Sequence, residues 1–184
     1  MKKAVLVSAV TAVAFILSAA GTDVVVAGFE EAKLPDSVQG VAFISGDGGQ
    51  EQNVDDTLTL ELNKSGAFVR SGSQSLKVTY KMNPASPLKF ANLGFNSKSP
   101  MGTNGVLSFW INKVSGNTSM TVSVFDTKWK KGIASPVALN SGAKVYTFTA
   151  ADFSKGIDWP NVNTVLITLN SDAQLYLDDI KFTK

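Results

Sequence analysis

Apolar and polar residues alternate with a period of two along most of the sequence after residue 27. In Ser75–Lys81 the side chains of Leu76, Val78 and Tyr80 share one face, and two lysines and a threonine share the other. This is the repeat of a β-strand with one buried face, because successive side chains of a strand point to opposite sides. Further segments with this alternation are Val106–Asn112, Met120–Asp126, Val145–Thr149, Thr164–Leu169 and Gln174–Phe182. The pattern predicts a fold built mainly of β-strands.

Short turn signals separate these segments. Glycine, proline, asparagine and serine cluster at Gly46–Gly49, Asn83–Pro87 and Ser99–Gly105, as they do where antiparallel strands reverse direction. Ala150–Phe153 favours one short helical turn, with Thr149 as its cap. Three weaker strand predictions are Val41–Ser45, Leu58–Leu62 and Leu88–Phe95. The total of roughly nine short strands predicts an all-β, antiparallel sandwich.

The N-terminal residues have the pattern of an export signal. Two lysines precede an apolar run from Ala4 to Ala20, and small residues suit cleavage after Ala20 or after Ala27. The rival interpretation is a membrane span, for which a run of about 17 residues is short. We therefore expect a signal peptide in 1–27, a secreted or periplasmic protein, and a single domain in 28–184.

The composition excludes several kinds of catalytic site. The 184 residues include no histidine and no cysteine, so a Ser-His-Asp triad, a Cys-His pair and a histidine-ligated zinc site are ruled out. Lysine and arginine number 17 against 15 acidic residues, and two of the lysines belong to the leader. No charge excess points to nucleic acid. We expect a monomer that contacts no membrane after signal cleavage.

Two adjacent aspartates, Asp178 and Asp179, stand in the last predicted strand. In a regular strand they point to opposite faces, so they cannot act together on one reacting atom as an acid and base pair. Asp178 shares its phase with Ile180 and Phe182, which we expect to be buried, whereas Asp179 shares its phase with Lys181 and is expected to reach solvent. The pair therefore has to be interpreted as two separate residues.

A buried carboxylate at Asp178 requires a partner, because burying an unpaired charge is costly. One alternative is that it accepts backbone hydrogen bonds. The other is a calcium site, since calcium takes 6 to 8 oxygen ligands. Glu30 and Glu31, near the start of the predicted domain, are available as further ligands if the two ends of the domain meet.

Several segments together resemble a known family. Gly28–Glu31, Val69–Tyr80 and Leu175–Phe182 look like parts of the jelly-roll, galactose-binding-like carbohydrate-binding modules that are attached to polysaccharide-degrading enzymes. Leu107–Asn112 and Ile157–Leu169 fit the same order. The resemblance covers about Gly28 to Lys184. It implies a jelly-roll sandwich that binds a polysaccharide or oligosaccharide and catalyses no reaction.

The resemblance also implies a structural calcium ion. By motif match its ligands are the Glu30 side chain, the Ser73 carbonyl and Asp178. The loop Gly46–Asp56, which is rich in acidic residues and glycine, is an alternative place for an ion.

Sugar sites in such modules are aromatic platforms with polar neighbours, because the apolar face of a pyranose stacks on a ring while its hydroxyls need hydrogen bonds. Trp129 lies in a lysine-rich loop, and it either contacts the ligand or packs within the loop. Trp110 lies opposite the predicted core, where it either lines a concave sheet with Phe125, Asn112 and Asp126 or is covered by a loop or helix. The aromatic residues assigned to structural packing are Trp159 and Tyr80.

Two other functions remain open at this stage. One is a polysaccharide lyase or other carbohydrate-active enzyme on the same fold, with tyrosine or lysine as the base near Arg70, the single arginine. The other is a structural or adhesive surface protein without a small ligand. The lysines around Trp129 are either a solvated face or partners for acidic sugars such as uronates.

Overall fold

The protein is described by a computed structural model that covers residues 23–31, 33, 38–46, 49–52, 57–84, 90–97, 100–102, 105–116 and 119–183. The lysines and the apolar run of the predicted leader lie outside these residues, as do parts of the loop Gly46–Asp56. In the residues covered, no helix has the length and apolar character needed to cross a membrane.

Sheet A consists of six antiparallel strands. Their order is β11 (Gly142–Thr149), β7 (Val106–Ser115), β13 (Ala173–Thr183), β5 (Ser75–Lys81) and β4 (Thr57–Asn63), with β1 (Val24–Ala27) also paired to β13. β7 lies along one side of β13, while β5 and β1 pair with successive parts of its other side. The last strand therefore lies in the middle of the sheet and ties the first strand to it.

Sheet B consists of seven antiparallel strands. Their order is β10 (Val137–Ala138), β8 (Ser119–Asp126), β12 (Val162–Leu169), β6 (Ala91–Asn96), β2 (Val38–Gly46) and β3 (Gly49–Gln52), with β9 (Lys131–Ile133) also paired to β8. The all-β antiparallel sandwich predicted from the sequence is thereby confirmed.

The core lies between the two sheets. Alternate residues of β5, from Leu76 to Tyr80, are almost wholly buried on the inner face of sheet A, as are Val165, Ile167 and Leu169 on the inner face of sheet B. Each such side chain contributes about 1.5–3 kcal/mol through its removal from water. The alternating pattern of the sequence is therefore the pattern of this core.

The clearly alternating segments are all strands, and most of them extend beyond the predicted ends. The strands β1, β3, β9 and β10 were not predicted, because two to four residues are too few to show a period. The helical turn is confirmed at Ala150–Asp152, where Asp152 Oδ2 accepts a hydrogen bond from the Thr149 N–H at 2.6 Å. The prediction for Leu88–Phe95 holds from Ala91 onward. Phe90 precedes the strand, and residues 88 and 89 lie outside the described residues.

A matched pair of isoleucine substitutions tests the position of the core. Ile167 is 1% exposed and Ile133 is 44% exposed. We expect Ile167→Ala to lower the free energy of unfolding by about 2–5 kcal/mol, because it leaves a cavity. Ile133→Ala should change it by less than about 0.5 kcal/mol. Denaturant unfolding of both variants measures the difference, and equal losses would contradict this assignment of inner and outer faces.

Candidate functional site

The outer face of sheet B, which is turned away from the core, carries three rows of cross-strand neighbours. The rows are Asn96, Thr164 and Phe125; Gly94, Leu166 and Ser123; and Asn92, Thr168 and Thr121. The rows arise because the inward positions of β12 fill the core and the alternate positions must face outward. Most of these residues carry a hydroxyl or an amide, and Gly94 leaves its end of the middle row without a side chain.

An aromatic corner lies at one end of this face. Phe125 is near the end of β8, and Trp129 lies in the turn that follows. The two ring centroids are 6.2 Å apart at an interplanar angle of 65°. Trp129 is 74% exposed. A large apolar ring that stays this exposed contributes little hydrophobic free energy to folding. An exposed ring held beside a second ring is a surface that a ligand can stack on.

The turn that carries Trp129 is built around the carboxylate of Asp126. Oδ1 accepts hydrogen bonds from the N–H groups of Lys128 and Lys130 at 2.8 and 3.0 Å. Oδ2 accepts one from the N–H of Asp158 at 3.4 Å. The Asp126 carbonyl accepts the N–H of Trp129 at 2.9 Å, and Trp129 takes a left-handed φ of 62°. The left-handed backbone of this bulky residue is unfavourable by itself, so these hydrogen bonds hold the turn in place.

The lowered pKa of Asp126 agrees with its role as the acceptor that holds the turn. Burial acts to raise the pKa of Asp126, but the N–H donors of Lys130, Lys128 and Asp158, with the nearby Lys128 charge, together hold the pKa below its ordinary value. The side chain is almost fully buried. Asp126 was predicted to contact the ligand, but its oxygens are occupied by the turn, so the structure makes it a positioning residue.

The short strand β9 extends the outer face beyond Phe125. Lys131 is the cross-strand neighbour of Phe125, and Ile133 is the neighbour of Ser123. The Lys131 ammonium lies over the Phe125 ring, 5.7 Å from its centroid, at a distance that gives a cation–π attraction. The corner therefore combines two aromatic rings with a positive charge.

Sequence reasoning missed several residues of this face. Lys131 was noted only as one of the lysines around Trp129. Its pairing with Phe125 was missed, as was Ile133, because a strand of three residues has no readable period. Asn92 and Thr168 were missed as well. The Thr168 hydroxyl donates a hydrogen bond to Asn92 Oδ1 at 2.6 Å. The alternation of asparagine and glycine within β6 is the signal that could have identified part of this face.

Trp110 and Asn112 were predicted to line a sheet together with Phe125 and Asp126, and this grouping is wrong. They lie on β7 in sheet A, whose outer face points away from that of sheet B. Trp110 does face away from the core, as predicted, but it is only 7% exposed. The alternative, in which Trp110 is a covered residue, is the one that the structure supports.

The other packing assignments hold. Trp159 is buried in the core cluster and its indole N–H donates to the Gly105 carbonyl at 3.1 Å. Tyr80 is 1% exposed, within the same cluster. Neither ring is available to a ligand.

The predicted phase of the two aspartates is also wrong, because β13 contains a bulge. Its register against β7 shifts between Asp178 and Lys181, and Asp179 has a left-handed φ of 51°. One extra residue in a bulge reverses the faces that follow it. Asp178 is therefore a neighbour of Trp110 on the outer face of sheet A, whereas Ile180 points into the core.

Asp178 is nevertheless fully buried, because a loop covers it. Its Oδ2 accepts hydrogen bonds from the N–H groups of Arg70 and Ser71 at 2.9 and 3.2 Å, and its Oδ1 accepts one from Asp179 at 2.7 Å. Burial raises the pKa of Asp178, the hydrogen bonds oppose this rise, and the charge of Asp179 adds to it. Asp179 is partly buried and accepts a hydrogen bond from the Ser71 hydroxyl.

Glu30 holds the same loop from the other side. Its carboxylate accepts hydrogen bonds from the Ser73 N–H, the Ser73 hydroxyl at 2.8 Å and the Gln74 N–H at 3.2 Å. The Ser73 hydroxyl and then its N–H lower the pKa of Glu30. Gly72 lies against this carboxylate, and a Cβ on Gly72 would come within 2.3 Å of Glu30 Oε1. Two carboxylates therefore fasten one loop.

The donors to these carboxylates include the Ser73 N–H and hydroxyl, whereas the motif match assigns the Ser73 carbonyl to a calcium ion shared with Glu30 and Asp178. Within the described ranges, no three acidic, histidine or cysteine side chains cluster as a metal site. Glu30 and Asp178 are oxygen ligands of the kind that calcium takes, but hydrogen bonds from the loop already use most of their lone pairs. Calcium at this point stays a prediction.

Solved structures with a similar fold include carbohydrate-binding modules. The family 11 module of a cellulosomal cellulase of Clostridium thermocellum superimposes with a TM-score of 0.60 and 13% identity, over 90% of this chain and 96% of the module. The structure of a family 11 module from the same organism with a β-1,3-1,4-mixed-linked tetrasaccharide gives 0.61 and 12%, over 88% and 95%. The chain has the β-sandwich fold of these modules.

Part of an exo-β-agarase is also similar, with a TM-score of 0.57 and 12% identity over 84% of this chain. This chain spans only 24% of that enzyme. No model of a known protein family matches the sequence, and no curated protein sequence matches it. At these identities the likeness establishes the fold, and the site has to be argued from its own residues.

The role of Asp126 predicts a pH dependence. Because its pKa is lowered in the folded protein, its contribution to stability is complete above the unfolded value near 3.8 and is lost as the pH falls through the lowered folded-state pKa. We expect wild type to be more stable than Asp126→Asn at neutral pH, and the difference to shrink below pH 3.8. Thermal melting of both proteins across this range measures it. A difference that does not change with pH would contradict the assignment.

Proposed function

We propose that this protein is an exported, non-catalytic carbohydrate-binding protein that holds a polysaccharide on the outer face of sheet B. The observation that carries the proposal is Trp129, a tryptophan that is 74% exposed and is fixed beside Phe125 by an ordered turn. Keeping such a ring out of the core has an energetic cost, which a binding role explains. An exposed aromatic ring held beside a half-buried one offers a ligand a surface to stack on.

The chemistry of the face suits a sugar chain. The Phe125 and Trp129 rings offer apolar surface to the C–H face of a pyranose. The rows behind them carry the half-buried amides of Asn92 and Asn96 and the half-buried hydroxyl of Thr121, which can exchange hydrogen bonds with sugar hydroxyls. Binding requires both parts, because a buried hydroxyl without a partner would reduce affinity.

A binding role is favoured over an enzyme by the state of the tyrosines. The chain has three tyrosines, and Tyr80, Tyr146 and Tyr176 are all buried. Tyr176 is further covered by Phe68, whose ring stacks on it at 4.2 Å. A lyase that uses a tyrosine base beside Arg70 would need one of these hydroxyls in an open cleft. The similarity of the fold to modules described as carbohydrate-binding supports the same choice.

Export with cleavage after Ala20 fits the fold better than cleavage after Ala27. The second site would remove β1, whose Ala27 is buried and which pairs with β13. It would also remove Asp23, which forms an ion pair with Lys181 at 2.8 Å. We expect the intact mass of protein recovered from the medium or periplasm to correspond to a chain that begins at Gly21. A mass that corresponds to a start at Gly28 would contradict this.

We also propose that a structural calcium ion stabilises the loop that Glu30 and Asp178 fasten. The support is that Asp178 is a wholly buried carboxylate whose pKa is raised by burial. Its charged form therefore reduces stability as the pH rises, and a nearby cation would offset this loss. The ion would share or replace hydrogen bonds that now come from the loop. Its role would be structural, remote from the aromatic corner.

The glycan site is tested by a pair of tryptophan variants. Removing a stacking ring should weaken retention by an insoluble or gel-embedded polysaccharide about tenfold, from a contribution of about 1.5 kcal/mol. We expect Trp129→Ala to show this tenfold weaker retention. Its melting temperature should not change, since the ring is exposed. The control Trp110→Phe should bind as wild type does, because Trp110 is buried on the other sheet. Binding lost in the control but kept in Trp129→Ala would refute the assignment.

The calcium proposal is tested by melting in calcium and in chelator. At a calcium concentration 100 times its dissociation constant, stability should rise by about 2.7 kcal/mol, or about 5–10 °C in this size range. We expect wild type to show this rise and Asp178→Asn to lose it. Asp172→Asn, which removes the charge of the carboxylate that accepts the Met82 N–H elsewhere in the fold, serves as the control that keeps the rise. Identical melting temperatures of wild type in calcium and in chelator would contradict the calcium proposal.

A further inference from the structure

We propose that the glycan held on the outer face of sheet B is an acidic polysaccharide, one whose sugars carry uronate or sulfate groups. This inference rests on the proposed function and adds the chemical class of the ligand. It is drawn from the charges around the aromatic corner.

Three lysines lie within two residues of Trp129 along the chain. Lys128 and Lys130 flank Trp129 in the turn, and Lys131 follows on β9 with its ammonium over Phe125. All three are exposed. Their backbone positions are fixed, because the N–H groups of Lys128 and Lys130 bind Asp126 and Lys131 pairs with Phe125. A sugar that stacks on this corner therefore meets positive charge at its edge.

None of these three lysines takes part in an ion pair found in the described residues, although Lys128 attracts the buried carboxylate of Asp126. Asp126 is buried and bound to N–H groups, and Oδ2 of Asp158 accepts the Asn161 amide at 3.0 Å. The ion pairs found in the described residues involve Lys77 with Glu61 and Lys181 with Asp23, both on sheet A. Among the described side chains in the three rows of the outer face, none is acidic.

This arrangement favours an anionic ligand for a physical reason. A neutral sugar hydroxyl accepts a hydrogen bond from an ammonium in which only the donor is charged. A carboxylate or sulfate accepts the same hydrogen bond and adds the attraction of an opposite charge. The lysines are exposed, so each contributes modestly and the contribution falls with salt. Stacking on Trp129 gives the specificity, and the lysines select the charge of the chain.

The test uses the mature protein in affinity electrophoresis through gels that contain one polymer each. Polygalacturonate and alginate supply uronates, iota-carrageenan supplies sulfates, and agarose and mixed-linkage β-glucan are neutral. The gels are run without added calcium, since uronate polymers bind it, and at low and high sodium chloride. The variants are wild type, Trp129→Ala, the double variant K128Q/K131Q, and Lys144→Gln. Lys144 lies 5.1 Å from the Tyr146 ring on sheet A and is the matched control.

We expect at least one acidic polymer to retard wild type more than either neutral polymer does. High salt and K128Q/K131Q should each weaken this retardation about threefold to tenfold. Trp129→Ala should weaken it too, and Lys144→Gln should leave it unchanged. Whether the uronates or the sulfated polymer is retained tells which anion is recognised.

Two other results overturn the inference in distinguishable ways. In the first, a neutral polymer retards wild type more strongly than the acidic polymers do. If that retardation is lost in Trp129→Ala and kept in K128Q/K131Q, the glycan site is supported and the acidic ligand is refuted. If acidic polymers retard Trp129→Ala as much as wild type and Lys144→Gln weakens retardation as the double variant does, binding is unspecific and the inference fails. Retardation by none of the polymers counts against the proposed function itself.

Discussion

The hydrogen bonds from backbone N–H groups to the carboxylate of Asp126 are the interaction on which the proposed site depends. They close the turn after β8 and hold Trp129 in a left-handed conformation that a tryptophan does not favour. Without them the ring would be free to move, and ordering it on binding would cost part of the affinity. With them, Phe125, Trp129 and Lys131 are presented together before a ligand arrives. The corner is therefore preorganised by one buried charge.

The same device appears at the opposite sheet with a different electrostatic outcome. Asp178 and Glu30 fasten the loop of residues 70–74 by accepting its N–H groups, as Asp126 fastens its turn. Hydrogen bonds outweigh burial for Asp126 and Glu30, whose pKa values are lowered, whereas burial outweighs them for Asp178. The loop over sheet A is thus the place for which we propose a calcium ion. The turn on sheet B needs none.

Much of the fold was predictable from the sequence, because the period of two in segments such as Ser75–Lys81 follows directly from the burial of one strand face. Trp110 and Phe125 were each assigned to an outward face correctly. Their sheets could not be assigned, since pairing order depends on contacts between distant segments. Asp178 shows a second limit. The left-handed residue Asp179 inserts a bulge, and a repeat of two cannot reveal a single position where the repeat breaks. The corner itself was half predicted, by Trp129 and Phe125, while Lys131 needed the pairing of β9.

The most direct measurement is a titration of the three tryptophan indole N–H signals by NMR with an oligosaccharide from a retained polymer. We expect the Trp129 signal to shift on binding. The signals of Trp110 and Trp159 should stay in place, because both rings are buried away from the corner. A shift of the Trp110 signal with an unmoved Trp129 signal would contradict the account, since it would place the ligand on sheet A.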